Sequence, residues 1–99
     1  MLLKDYIPNI NKKHGNLSFS GISFDSSKTN KDDIFFAIKG SKIDGNNFIP
    51  VVIKKGCKII ITEKKIKKSQ NGVLFIHTKN VRKLLGKSLL KFITNYQKI

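Results

Sequence analysis

The chain is poor in several residue types that would define other classes of protein. It has one cysteine, no tryptophan, two prolines and one arginine. A lone cysteine, Cys57, excludes an internal disulfide and any metal site built from several cysteines. No apolar run approaches the ~18 residues of a membrane-spanning helix, and the first residues lack the apolar core of a secretory signal. The length of 99 residues is that of a single domain.

Acidic residues are also scarce, since six stand against twenty basic residues and the net charge is +14. Such a charge suggests a polyanionic partner. The basic residues, however, are lysines scattered from Lys4 to Lys98 and a single arginine, Arg82, whereas nucleic-acid readers favour arginine forks. We interpret the lysines as a solvated surface that would attract anions weakly. A small lysine-rich nucleic-acid-binding protein is the alternative from another class.

The apolar pattern predicts an α/β domain. A strand–helix–strand order over residues 48–62 indicates a βαβ unit with parallel pairing. We expect one domain over 1–99, with a mixed sheet of four or five strands and flanking helices. Predicted strands are 17–24, 34–39, 58–62 and 73–77; predicted helices are a short one within 1–10, one over 47–56 capped by Asn46 or Asn47 and ended by Gly56, and one beginning after Asn80. Polar loops are predicted over 9–16, 25–33, 40–47 and 63–72.

Two polar bends follow the first two predicted strands, at the strand ends where α/β sheets usually bind ligands. The first contains Phe24-Asp25-Ser26-Ser27, whose hydroxyls and backbone N–H groups suit a phosphate or a base. The second runs from Gly40 to the Asp44-Gly45 pair, which is a general turn signal. From residue chemistry alone, each bend is a plain turn by default.

The sequence offers no catalytic constellation. His14 and His77 have no carboxylate or second ligand near them in sequence, and no nucleophile–base pair or metal spacing appears. Gly86-Lys87-Ser88 lacks the preceding glycine and the strand–loop context of a phosphate-binding loop. The last helix has a basic face that would suit a membrane surface, but we interpret it as a helix that covers the sheet. We therefore predict neither a catalytic residue nor a metal ligand.

The stretch from Gly21 to Ile49 resembles the N-terminal, uridine-diphosphate-binding domain of the Mur ligases, which join amino acids to a nucleotide-linked cell-wall precursor. The shared pattern is an Asp-Ser pair, an acidic residue, a strand with Phe and Ala, a Gly, three variable residues, Asp-Gly and a Phe-Ile pair. The matching residues are Asp25, Ser26, Asp33, Phe35, Ala37, Gly40, Asp44, Gly45, Phe48 and Ile49. The family usually has arginine where Ser27 stands, so a cationic fork is missing there.

The resemblance covers roughly 17–85, and the end over 86–99 is atypical. It is greatest to MurE-type ligases. MurF-type ligases are the alternative within the family, although their loop after the glycine usually begins with an acidic residue and Ser41 is not one. The resemblance implies substrate contacts to the uridine-diphosphate part of UDP-N-acetylmuramoyl-peptide from Phe24, Ser26, Ser41, Lys42 and Ile43. It implies supporting turns at Asp25, Gly40, Asp44 and Gly45.

The resemblance further implies peptidoglycan precursor synthesis in the bacterial cytoplasm. For a full-length ligase it implies ATP, Mg²⁺ and a central ATPase domain as partner. The printed sequence stops before the family's ATP-binding loop, so we expect this chain to be a truncated ligase that needs no cofactor of its own and is inactive alone. We expect no specific nucleic-acid partner and no membrane partner.

Overall fold

A computed structural model describes residues 1–66 and 72–97, and the side chains of all of these except 95–97. Its centre is a four-stranded sheet in the order β1-β2-β3-β4. The strands are β1 (Gly21–Ser23), β2 (Asp33–Phe36), β3 (Ile59–Thr62) and β4 (Leu74–His77). The helices are α1 (Lys12–Gly15), α2 (Ile49–Lys54) and α3 (Val81–Gln97), and single 3-10 turns occupy Leu3–Asp5, Ser26–Lys28 and Gly45–Phe48.

The α/β class and the number of strands are confirmed. All three strand pairings are parallel, with Ile34 opposite Ile22 on one side and opposite Ile59 on the other. The mixed sheet that we expected is therefore a parallel one. Antiparallel pairing within the described residues is limited to isolated bridges, such as that between Lys39 and Asp44.

Several predicted boundaries shift. The strand predicted over 17–24 is shorter and forms only β1. The polar segment predicted as a loop over 9–16 contains α1, where the Asn11 side chain accepts a hydrogen bond from the N–H of Lys13. The helix predicted over 47–56 begins as the 3-10 turn capped by Asp44 rather than by Asn46 or Asn47. Gly56 ends it with a φ of +97°, a conformation that favours glycine. Part of the predicted loop over 63–72 lies outside the described residues.

The two faces of the sheet carry two apolar clusters. On one face, Ile34, Phe36 and Ile61 pack with residues of α3 and of the N-terminal segment. On the other face, Phe35 and Ile60 pack with residues around α2, including Val52 and Cys57. Burial on both faces explains why these strands are continuous runs of apolar residues rather than alternating ones.

Helix α3 covers the sheet through Val81, Leu84 and Leu85, as its apolar stripe predicts. The predicted cap is confirmed, because the side chain of Asn80 accepts a hydrogen bond from the N–H of Lys83 at 3.0 Å. Among the described residues, no helix combines the length and the apolar character needed to cross a bilayer.

Candidate functional site

A cavity of about 500 Å³ opens where β1 and β2 end. Both polar bends reach it, because parallel strands end at the same edge of the sheet. Helix α3 also begins at this edge, since it follows the end of β4 after three residues. The cavity is lined by Phe24, Asp25, Ser26, Phe35, Ile38, Gly40, Ile43, Gly45, Phe48 and Arg82.

The first bend is built around Asp25. Its carboxylate accepts hydrogen bonds from the N–H of Ser27 at 2.9 Å and from the Ser27 hydroxyl at 2.7 Å. These two bonds hold the pKa of Asp25 below its usual value, and the bond from the hydroxyl has the larger effect. Asp25 thus forms the turn that its residue type predicts. The Ser27 side chain is used within the bend.

Buried hydroxyls and one lysine fix the first bend from behind. The hydroxyls of Ser23 and Thr29 are both buried and lie 2.8 Å apart. The Thr29 hydroxyl also donates to the backbone carbonyl of Asp25 at 2.8 Å. From the end of α2, the ammonium of Lys55 donates to the carbonyl of Ser26 at 2.6 Å. Side chains from outside the bend therefore hold the carbonyls of both Asp25 and Ser26.

The second bend repeats the same arrangement. The carboxylate of Asp44 accepts from the N–H of Asn46 at 2.9 Å and from the Asn46 side-chain amide at 2.7 Å. These two bonds lower the pKa of Asp44, and the bond from the backbone N–H has the larger effect. Asp25 and Asp44 therefore hold their bends as ionised hydrogen-bond acceptors at neutral pH.

Close backbone contacts explain the two glycines of the second bend. The N–H of Gly40 donates to the carbonyl of Ile43 at 2.8 Å, and a Cβ on Gly40 would lie 2.9 Å from that carbonyl oxygen. The N–H of Gly45 donates to the carbonyl of Ile38 at 2.7 Å, and a Cβ on Gly45 would lie 2.8 Å from the backbone N and O of Ile38. A side chain at either position would force the backbone of the bend to move.

Six of the residues predicted for the site line this cavity: Phe24, Asp25, Ser26, Gly40, Ile43 and Gly45. Ser41 and Lys42 are exposed at the tip of the second bend and are not part of the lining. Asp44 does not line the cavity, but its carboxylate holds the second bend by accepting a hydrogen bond from the N–H of Asn46. That any of these residues contacts a substrate stays a prediction.

Four lining residues were missed by sequence reasoning: Phe35, Ile38, Phe48 and Arg82. Phe48 was recognised only as part of the pair that opens a helix. Arg82 is 42 positions from Gly40 in the chain, but its position at the start of the helix after β4 was a usable signal, because helices that follow parallel strands begin at the ligand-binding edge.

The cavity mouth is apolar on one side. Phe24 is 56% exposed, Ile43 65% and Phe48 37%, although large apolar side chains usually lie inside a domain. Exposed apolar side chains gathered around one cavity with a few polar groups are typical of a small-molecule site. The lining combines aromatic residues with Asp25, Ser26 and Arg82 as its polar and charged members.

The two carboxylates of the bends are engaged in hydrogen bonds within those bends. Asp25 and Asp44 have lowered pKa values and are satisfied within their bends. The thiol of Cys57 is buried and its pKa is raised, chiefly by burial. No cluster of three or more metal-type side chains occurs within 1–66 and 72–97. The tripeptide Gly86-Lys87-Ser88 lies inside α3, where helical hydrogen bonds occupy the backbone N–H groups.

Known proteins resemble this chain in sequence and in fold. A model described as "Mur ligase family, catalytic domain" matches residues 18–92. The UDP-N-acetylmuramoyl-L-alanyl-D-glutamate--2,6-diaminopimelate ligase of Clostridium tetani is 35% identical over 101 residues, which cover 96% of this chain and 21% of that protein. The ligase of the same name from Buchnera aphidicola is 44% identical over 59 residues, 60% of this chain and 12% of that protein.

A crystal structure of MurF from Acinetobacter baumannii superposes with a TM-score of 0.61 at 29% identity, over 70% of this chain and 14% of that one. The chain spans about a fifth of the length of the Clostridium tetani ligase. The family model covers well over half of the chain, from residue 18 to residue 92. On these grounds, the chain belongs to the Mur ligase family.

Proposed function

We propose that this chain binds the uridine-diphosphate part of a UDP-N-acetylmuramoyl-peptide, as the N-terminal, substrate-holding domain of a MurE-type ligase in peptidoglycan precursor synthesis. One observation carries the proposal: two bends that strand β2 separates in sequence, at Phe24–Ser26 and at Gly40–Gly45, line a single cavity at the end of β1 and β2. This is the edge of a parallel sheet at which nucleotides are usually bound.

The size and chemistry of the cavity suit a uridine nucleotide. Its volume of about 500 Å³ falls within the usual range for ligand pockets. Phe24 and Phe48 offer aromatic faces, and Ile43 offers an aliphatic one, on which a pyrimidine can stack. The hydroxyl and backbone N–H of Ser26 provide donors for uracil or phosphate oxygens. The bends are fixed before a ligand arrives, which lowers the entropic cost of binding.

Sequence relatives favour a MurE-type parent. The Clostridium tetani and Buchnera aphidicola proteins carry the name of a 2,6-diaminopimelate ligase acting on UDP-N-acetylmuramoyl-L-alanyl-D-glutamate. We accordingly propose the UDP-linked muramoyl dipeptide as the ligand and diaminopimelate as the amino acid that the parent ligase adds. The likeness to MurF from Acinetobacter baumannii supports a MurF-type parent as the second candidate, and Ser41 argues against it. A preference for the UDP-linked tripeptide over the dipeptide would favour MurF.

ATP and Mg²⁺ belong to the proposal only at the level of a full-length ligase. There, ATP would supply the energy for amide formation by activating the peptide carboxylate. The described residues of this chain do not fit either group, because the only Gly-Lys-Ser tripeptide lies within a helix and no oxygen-ligand cluster accompanies the cavity. The part that we assign to this chain is to hold and orient the nucleotide end of the substrate. We propose that the chain alone does not hydrolyse ATP.

Amide NMR spectra of the ¹⁵N-labelled chain test the proposal directly. On addition of UDP-linked muramoyl dipeptide, we expect signals of 24–27 and 40–45 to shift in a saturable way. Phe24→Ala should weaken binding because it removes exposed aromatic surface from the mouth. Ile93→Ala is the matched control, since Ile93 is 50% exposed on α3 and does not line the cavity.

Two results would overturn the proposal. One is that the signals of both bends stay unchanged at millimolar ligand while other signals move. The other is that Phe24→Ala and Ile93→Ala bind equally well. A nucleic-acid-binding role would instead appear as affinity for unrelated DNA that falls steeply with salt and ignores Phe24.

A further inference from the structure

The lining of the cavity contains two charged side chains, those of Asp25 and Arg82. Asp25 is exposed and its lowered pKa keeps it ionised at neutral pH. A diphosphate that enters the cavity therefore meets one negative charge, and it needs a cation within the same lining. Surface lysines elsewhere on the chain attract anions only weakly, because water and salt screen them.

The lysines nearest to the first bend are engaged or lie outside the lining. Lys55 donates to the carbonyl of Ser26 at 2.6 Å. Lys28 and Lys42 are exposed and do not line the cavity. The hydroxyl of Ser27 is bonded to Asp25 at 2.7 Å. Among the described residues, Arg82 is thus the cation that the fold brings to the cavity itself.

The backbone under Arg82 is held firmly. Val81 is fully buried, and its N–H donates to a carboxylate oxygen of Glu63 at 3.0 Å. Asn80 caps the same first turn of α3 through the N–H of Lys83. Glu63 and Asn80 thus occupy the N–H groups of Val81 and Lys83 at the start of α3. Arg82 is exposed at this anchored helix start and lines the cavity, so its guanidinium can present two donors to an anion there.

We propose that Arg82 binds the diphosphate oxygens of the nucleotide and supplies the charge recognition of this cavity. This assignment rests on the proposed function, because it requires that the uridine end of the nucleotide occupies the apolar side of the same cavity. Phe24, Ile43 and Phe48 then hold the base, and Arg82 pairs with the phosphates. A guanidinium suits this task better than an ammonium because it can engage two phosphate oxygens at once.

Titrations of the chain with uridine and with uridine 5′-diphosphate test whether Arg82 binds the phosphates while the apolar residues hold the base. Arg82→Gln should weaken diphosphate binding by about tenfold or more, as expected for loss of a charged hydrogen-bonded partner, and should leave uridine binding within about twofold. Arg82→Lys should recover only part of the loss. Lys83→Gln is the matched control, since it removes the same charge from the next residue of the same helix, whose side chain is exposed and outside the lining.

The outcomes separate the two proposals. If the unmodified chain binds both ligands and Arg82→Gln loses affinity only as much as Lys83→Gln, the role of Arg82 is refuted and the proposed function stands. If Arg82→Gln weakens uridine and the diphosphate equally, Arg82 shapes the cavity and does not recognise charge. If the unmodified chain binds neither ligand at millimolar concentration, both proposals fail. Thermal unfolding of each variant verifies that it is folded.

Discussion

The hydroxyl of Thr62, at the end of β3, donates a hydrogen bond of 2.5 Å to the side-chain carbonyl oxygen of Asn46. Both residues are buried. The Thr62 hydroxyl also accepts from the N–H of Lys64 at 3.0 Å, and the Asn46 amide donates to Asp44 at 2.7 Å. One continuous chain of hydrogen bonds therefore links the central strands to the second bend of the cavity.

Removing this link should destabilise the domain. We expect Asn46→Ala and Thr62→Val each to lower the free energy of unfolding by about 1–3 kcal/mol, because each leaves a buried polar partner unsatisfied. The double variant should lose less than the sum of the two, since the penalty is shared. Urea unfolding measures all three. Asn47→Ala is the control, because Asn47 is exposed, and it should change stability by less than about 0.5 kcal/mol. Additive losses would contradict a direct link.

Gly45 should tolerate no side chain. Gly45→Ala places a Cβ 2.8 Å from the backbone of Ile38, so we expect a loss of about 1–3 kcal/mol in stability from overpacking, together with weaker nucleotide binding. Gly86→Ala is the matched control, because a Cβ there meets no atom within 4 Å in the described structure. Gly86 lies inside α3, so alanine should stabilise the chain by up to about 1 kcal/mol. Equal effects at the two glycines would show that backbone contact does not explain Gly45.

Acid should open the two bends only at low pH. The pKa values of Asp25 and Asp44 are lowered from the ordinary value of 3.8 by hydrogen bonds from Ser27 and Asn46. A lowered folded-state pKa means that the carboxylate stabilises the fold above its unfolded pKa, and that this contribution is lost as the pH falls through the folded pKa. We therefore expect both bends to persist from neutral pH to about pH 4 and to loosen below it.

Carboxyl ¹³C NMR titration measures these two pKa values. Ser27→Ala removes the hydroxyl that bonds Asp25 at 2.7 Å, so it should raise the pKa of Asp25 and leave that of Asp44 unchanged. Asp44 thus serves as the internal control. A midpoint for Asp25 at or above 3.8 in the unmodified chain would refute the hydrogen-bonded bend.

Sequence reasoning predicted the elements whose pattern is local and strong. The apolar segment that begins at Ile34 predicted a strand, and the segment after Asn80 predicted a helix that covers the sheet; both are confirmed. Predicted boundaries were wrong where a capping residue determines the start of a helix. Asp44, rather than a later asparagine, caps the turn before α2.

The site was only partly predictable for a physical reason. Both bends follow strands, so their residues could be found in one continuous stretch of sequence. Arg82 reaches the same cavity from the start of α3. The strand–helix order indicates the edge of the sheet, but only the packing of the helix on the sheet brings this residue to the cavity. Lys55 contacts the first bend by donating to the backbone carbonyl of Ser26. Because nearly any residue could supply that carbonyl, the sequence gives no sign of this contact.

Calorimetric titration of the chain with uridine 5′-diphosphate, beside adenosine 5′-diphosphate, tests most directly whether the cavity is a uridine-nucleotide site. We expect saturable binding of the uridine nucleotide to one site per chain, weaker binding of the adenine nucleotide, and loss of the difference in Phe24→Ala. Equal affinity for the two nucleotides, or no saturation by uridine 5′-diphosphate at millimolar concentration, would contradict the account.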